Sequence, residues 1–115
     1  MNWPFRVIAS ALAGTARRPG DFVARYGGEE FALLLPDTGL SEASAIAEQA
    51  RLAVMDLRLT APIPAGQITI SAGCASTIDP NTLGTPGALV HAADAALYDA
   101  KRGGRNRVQS VTSLP

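Results

Sequence analysis

The chain has one cysteine in 115 residues. That excludes an internal disulfide and fits a reducing cytosol. Cys74 lies in an apolar run and reads as a small core residue rather than a nucleophile. Histidine is equally scarce. His91 has no ligand partners at metal spacing, which excludes a histidine-based metal centre and leaves it an ordinary helix residue. Excess charge of either sign is absent, with 10 basic and 10 acidic side chains. This balance excludes a general attraction to nucleic-acid polymers or anionic membranes, so any nucleotide must be held by local contacts. No apolar run approaches the roughly 18 residues of a membrane span, and no signal-peptide pattern is present. The segment is therefore expected to be cytoplasmic and without membrane contact. An anchor elsewhere in a parent protein is a separate matter.

What is present suits one domain over residues 1–115, with 47% apolar residues for a single core. Phe5, Ile8, Ala11, Leu12 and Thr15 recur at helical spacing and predict a helix over 5–16, ended by Arg17-Arg18-Pro19-Gly20. A hairpin is expected over 21–35, with a turn at Pro36-Asp37-Thr38-Gly39. Ser41 is expected to N-cap a helix over 41–57 whose inner face is Ala43, Ile46, Ala47, Ala50, Ala53, Val54 and Leu57. A loop over 61–66, a strand over 67–75 and a polar loop over 78–84 follow. Thr85-Pro86 then opens a helix with proline at its first position and the stripe Leu89, Val90, Ala93, Leu97 and Ala100. Gly103-Gly104 stops it, and a short strand covers 106–110.

The most informative stretch is Arg25-Tyr26-Gly27-Gly28-Glu29-Glu30-Phe31. Two glycines join two apolar-alternating runs, and glycine supplies the positive φ that a tight hairpin turn needs. A turn without side chains lets a phosphate or nucleotide lie against its backbone. Glu29 and Glu30 then add hard oxygen ligands that suit Mg²⁺. Alone, such a turn is more often a plain connection between strands. Two further segments change that reading. One is Ile68-Thr69-Ile70-Ser71-Ala72-Gly73-Cys74-Ala75. The other is Ala93-Asp94-Ala95-Ala96-Leu97-Tyr98-Asp99-Ala100-Lys101-Arg102-Gly103-Gly104-Arg105-Asn106-Arg107-Val108. In order and spacing the three resemble the GGDEF family of diguanylate cyclases, in the variant with Glu at the third position. The resemblance runs from about Phe5 onward.

The resemblance implies an α+β fold, a ferredoxin-like palm with a central mixed sheet and flanking helices. It also implies that the first β–α unit is lacking. The family's first strand carries an Asp that holds metal, and the next helix carries polar residues that read guanine. Met1-Asn2-Trp3-Pro4 is too short for that strand and contains proline. The absent strand would lie between the strands expected near 30–35 and 67–75. Its loss leaves two unpaired inner edges, and such edges recruit other strands. A rearranged or oligomeric chain is the expectation.

The activity implied is condensation of two GTP molecules into cyclic di-GMP with Mg²⁺, in a homodimer holding one GTP per subunit. Glu29 and Glu30 match the family's catalytic, metal-supporting acids. Gly27 and Gly28 match the substrate-facing turn, and Lys101 and Arg105 match residues that contact the terminal phosphates. Basic residues also end helices simply to complement the dipole. Asp94, Tyr98, Lys101 and Arg105 would share a face if the helix continued past the glycines, with Asp94 a pairing or packing residue. Arg18-Pro19-Gly20-Asp21 has the family spacing of an inhibitory Arg-x-x-Asp site for cyclic di-GMP. Arg can give guanine two hydrogen bonds and Asp can accept from its N1–H and amine. A surface salt bridge is the bland reading. The arginine the family often adds after the hairpin is here Gln49, with Arg51 two residues on and facing elsewhere. Three functions compete: a cyclase, a cyclic di-GMP-binding module that makes none, and a structural fragment.

Overall fold

A computed structural model describes residues 3–62, 65–77 and 85–111. The loop expected over 78–84 lies outside them. Helix α1, Trp3–Thr15, leads into the antiparallel hairpin β1, Phe22–Gly27, and β2, Glu30–Leu34. Helix α2, Leu40–Asp56, follows, then a short hairpin of β3, Thr60–Pro62, and β4, Ala65–Gln67. Strand β5, Ala72–Cys74, runs parallel to the final strand β6, Val108–Ser110, across helix α3, Pro86–Arg102. The mixture of helices and strands in both orientations is α+β, as expected.

The core explains the arrangement. Ile8 and Leu12 of α1 meet Ala50 and Val54 of α2, and all four are buried. Val23, Phe31 and Leu33 pack onto this cluster from the hairpin, with Leu59, Ile68 and Ile70 beside them. Side chains alternate across a strand, so the hairpin's other face carries Phe22, Ala24, Ala32 and Leu34. Phe22 and Leu34 are cross-strand partners on that face and stay exposed. A second cluster forms where α3 lies on β5. Ala92, Ala96 and Ala100 are buried, and the approach is close because residue 73 is glycine. A Cβ there would sit 2.2 Å from the Ala93 carbonyl oxygen and 2.3 Å from the Leu97 nitrogen. Cys74 is buried beside it, and burial pushes its thiol pKa up against a hydrogen bond involving Ser44. It stays protonated at neutral pH, in keeping with a core role.

Several local expectations are corrected. The strand expected over 67–75 splits, because β4 turns back on β3 and only Ala72–Cys74 pairs with β6. The loop expected over 61–66 thereby becomes part of a hairpin. Helix α2 is capped by Gly39, with no side-chain cap, rather than by Ser41. The Gly39 carbonyl accepts from the Ala43 N–H at 2.9 Å. Thr85 does cap α3 through its side chain, with Pro86 next, as the sequence indicated. Strands pair two by two, so among the described residues β2 and β5 have one partner each. No helix of the described residues is long and apolar enough to cross a membrane.

Candidate nucleotide site

The hairpin tip is built by an irregular register. Arg25 pairs with Phe31 and Gly27 with Glu30, so Tyr26 is an extra residue on β1. Such bulges twist a strand end and re-aim its side chains. Gly28 and Glu29 form the turn. Positive φ, expected of the glycine pair, occurs at neither Gly27 nor Gly28. A Cβ built at either would meet nothing within 4 Å. Neither backbone angle nor packing within the chain therefore calls for glycine at these two positions. The bare tip is held from below by Arg25, whose Nε and Nη2 donate to the Gly28 carbonyl at 3.0 and 2.7 Å. The same guanidinium lies 5.5 Å from the centre of the Phe5 ring, a cation–π distance. Sequence reasoning assigned Arg25 no role.

Glu29 and Glu30 are both exposed at this tip. By alternation Glu30 stands on the face of Ala32 and Leu34, away from the core. Carboxylate oxygens are the right donors for Mg²⁺, which demands a near-octahedral oxygen shell. Two adjacent acids supply part of such a shell. No group of three potential ligands exists among the described residues, so the fit holds in kind and is incomplete in number.

Lys101 is exposed in the last turn of α3. The helix then ends in a Schellman arrangement. The Gly104 N–H donates to the Lys101 carbonyl at 3.4 Å and the Arg105 N–H to the Ala100 carbonyl at 3.0 Å. Gly104 has φ 123°, and helical phase stops there. Arg105 therefore does not continue the face of Asp94, Tyr98 and Lys101, because the condition for it, a helix running past the glycines, is not met. Asp94, expected to pair or to pack, is exposed and makes no side-chain hydrogen bond or ion pair among the described residues. No hydrogen bond or ion pair joins the hairpin tip to Lys101 or Arg105 among those residues.

Arg18 and Asp21 come together closely. The Asp21 carboxylate accepts from the Arg18 backbone N–H at 3.0 Å, from Nε at 3.1 Å and from Nη2 at 3.3 Å. Two further partners were not foreseen. Glu42, in the first turn of α2, accepts from Nη1 at 2.6 Å, and the buried Thr38 hydroxyl accepts from Nη2 at 2.5 Å. Thr38 donates in turn to the Pro36 carbonyl, and its own carbonyl accepts from Ser76. The Asp21 side chain is 1% exposed and that of Glu42 57%. Asp21 thus orients the guanidinium from beneath while Glu42 closes it from solvent. Hydrogen bonding from Arg18 is the main cause holding the Asp21 carboxyl below its ordinary value, against desolvation. Gln49 is exposed. Arg51 does face elsewhere: it is paired with Glu48 at 2.6 Å and donates to Asn106 Oδ1 at 3.0 Å.

Residues 4–107 match the family described as diguanylate cyclase, GGDEF domain. The response regulator PleD of Caulobacter vibrioides is 40% identical over 107 residues, covering 90% of this chain and 22% of PleD. The probable diguanylate cyclase DgcT of Escherichia coli K12 is 43% identical over 101 residues, covering 84% of this chain and 22% of DgcT. The chain thus spans about a fifth of the length of these relatives. Among solved structures, the GGDEF domain of DgcB from Caulobacter crescentus in complex with c-di-GMP superposes with a TM-score of 0.77 at 37% identity. That match covers 95% of this chain and 63% of the other. The active GGEEF domain of a diguanylate cyclase from Vibrio cholerae gives a TM-score of 0.78 at 26% identity, covering 97% and 69%.

Proposed function

The chain belongs to the GGDEF family of diguanylate cyclases, and from that premise we propose that it supplies one nucleotide site of an enzyme joining two GTP molecules into cyclic di-GMP. The observation that carries this reading is the bare hairpin tip. Its two glycines are required by neither φ nor packing, yet they stand between a clasping arginine and two exposed carboxylates. A requirement from outside the chain, the close approach of a nucleotide, accounts for them.

In this reading Gly27 and Gly28 admit the substrate, and Glu29 and Glu30 hold Mg²⁺. The ion, when bound, offsets negative charge on the phosphates. Lys101 and Arg105 receive the terminal phosphates. The bond formed joins a ribose 3′-oxygen to an α-phosphorus, and the bond broken releases pyrophosphate. Two nucleotides must face each other, so two chains act together, and the work of each is positioning. The Arg18–Asp21 pair is the product site. Guanine takes donors from Arg18 by displacing Glu42, the exposed partner, while Asp21 keeps the guanidinium in place.

A second reading is a module that binds cyclic di-GMP without making it. The incomplete acid set at the tip favours it for these residues. Steady conversion of GTP with Mg²⁺ selects the first reading, and binding of cyclic di-GMP without turnover selects the second. The tip itself is tested by Gly28→Ala. The fold should tolerate it, with stability changed by about 0.5–1 kcal/mol at most. GTP binding, read by calorimetry, should fall at least tenfold, about 1.4 kcal/mol. Unchanged GTP affinity in a folded Gly28→Ala chain would refute the role given to the tip. Arg18→Ala should abolish cyclic di-GMP binding, and equal affinity in the two proteins would remove the product-site reading.

A further inference from the structure

The chain turns sharply between α3 and β6, and two consecutive non-glycine residues there have left-handed backbone. Arg105 has φ 63° and Asn106 φ 48°. Side chains disfavour that conformation, and it persists only where surrounding contacts over-determine it. Here they do. The Arg105 N–H completes the helix cap on Ala100, and its carbonyl accepts from Arg107 Nε at 3.2 Å. The Asn106 N–H donates to the Ser71 hydroxyl at 3.1 Å, and its side-chain oxygen accepts from Arg51 Nη1 at 3.0 Å.

Arg51 is itself fixed. Glu48 holds it by two hydrogen bonds of 2.8 and 2.6 Å, and its side chain is only 17% exposed. Helix α2 and the segment before β5 thus converge on one strained turn. Arg107 is turned back onto the Arg105 carbonyl, and the Arg105 guanidinium makes no hydrogen bond or ion pair with any described residue. A cation without a partner, on a backbone clamped from two directions, is arranged to meet an anion from outside.

We infer that Arg51 and Asn106 are positioning residues for Arg105, fixing the backbone from which its side chain reaches a nucleotide's terminal phosphates. The inference rests on the phosphate role proposed above for Arg105 and extends it to residues that touch no nucleotide. Such preorganisation strengthens binding because the backbone of Arg105 is already ordered when the phosphate arrives.

The test is a double-mutant cycle on the 115-residue chain, titrated by calorimetry with GTP and Mg²⁺, with GMP, and with cyclic di-GMP. Arg105→Ala should weaken GTP about tenfold and leave GMP unchanged. Arg51→Ala should weaken GTP about threefold to tenfold, and add nothing in a chain already carrying Arg105→Ala, the mark of two residues acting as one. Asn106→Gly keeps the left-handed backbone without strain but removes the acceptor, and it should match Arg51→Ala. Cyclic di-GMP affinity should stay constant throughout, because the Arg18–Asp21 pair shares no hydrogen-bond partner with Arg51 or Asn106. NMR relaxation of the Arg105 amide should show added motion in both Arg51→Ala and Asn106→Gly.

Additive losses, or GTP affinity and Arg105 order unchanged in Arg51→Ala, would overturn the inference alone. If Arg105→Ala binds GTP as the parent chain does, or the parent binds none, the phosphate role falls and the inference falls with it.

Discussion

Asp21 is nearly inaccessible, and its hydrogen bonds from Arg18 keep its carboxyl below the ordinary value of 3.8. Glu48 is likewise held below 4.5, chiefly by its hydrogen bonds from Arg51. For a carboxyl whose folded pKa is depressed, the stability it contributes is complete above the unfolded value. It is lost as pH falls through the folded value. Asp21→Asn should therefore lower the melting temperature near neutral pH. The gap from the parent chain should close as pH drops below 3.8. A gap that is constant from neutrality to pH 3 would show that the Arg18–Asp21 pair contributes nothing ionic to the fold. At this scale the sequence was informative about identity and blind to partners. The Arg-x-x-Asp spacing named Arg18 and Asp21. Glu42 and Thr38, 24 and 20 residues from Arg18, join it only once α2 docks against α1. Arg25 was legible as part of the signature, but its clasp on Gly28 needs the bulge at Tyr26, which no residue pattern announces.

Helix α3 is legible at both ends, because caps are local chemistry. Thr85-Pro86 starts it and the two glycines stop it, as the hydrogen bonds show. What fixes the helix in space is Gly73 on β5. Alanine there would drive a Cβ into the backbone of Ala93 and Leu97, atoms that cannot swing aside. Overpacking of this kind costs about 1–3 kcal/mol, and contact with backbone places this case at the upper end or beyond. Gly73→Ala should lose at least about 3 kcal/mol in urea denaturation. A loss below about 1 kcal/mol would mean that α3 slides readily over the sheet. The hairpin gives the contrast, since its tip glycines have open space around them. Glycine at 73 answers to the fold, and glycine at 28 is read as answering to a ligand. The stretch 67–75 reads as one strand because Ile68 and Ile70 alternate with the polar Gln67 and Thr69. Only the return of β4 onto β3 breaks it, with the Ile68 N–H donating to the Leu59 carbonyl at 2.7 Å.

At the scale of the molecule, the strand pairs leave edges open among the described residues, and Phe22, Tyr26 and Leu34 are more than half exposed on the hairpin. Unpaired edges beside exposed apolar side chains favour association. The chain is expected to form a dimer or larger assembly, strengthened when cyclic di-GMP bridges two Arg18 sites. Light scattering showing a monodisperse, folded monomer with and without cyclic di-GMP would refute this. The sequence by itself determined both ends of α3, the hairpin and the short list of charged residues with chemical promise. Each is set by spacing, side-chain type or a cap within a few positions. Only the tertiary structure decided which of those residues are engaged and which are left unpartnered. Arg18 is closed by Glu42, and Arg51 is committed to Asn106. Arg105 stays exposed on a turn of left-handed backbone. Those outcomes depend on contacts between elements distant in the chain, and hydrogen-bond partners are chosen only when packing brings such elements within reach.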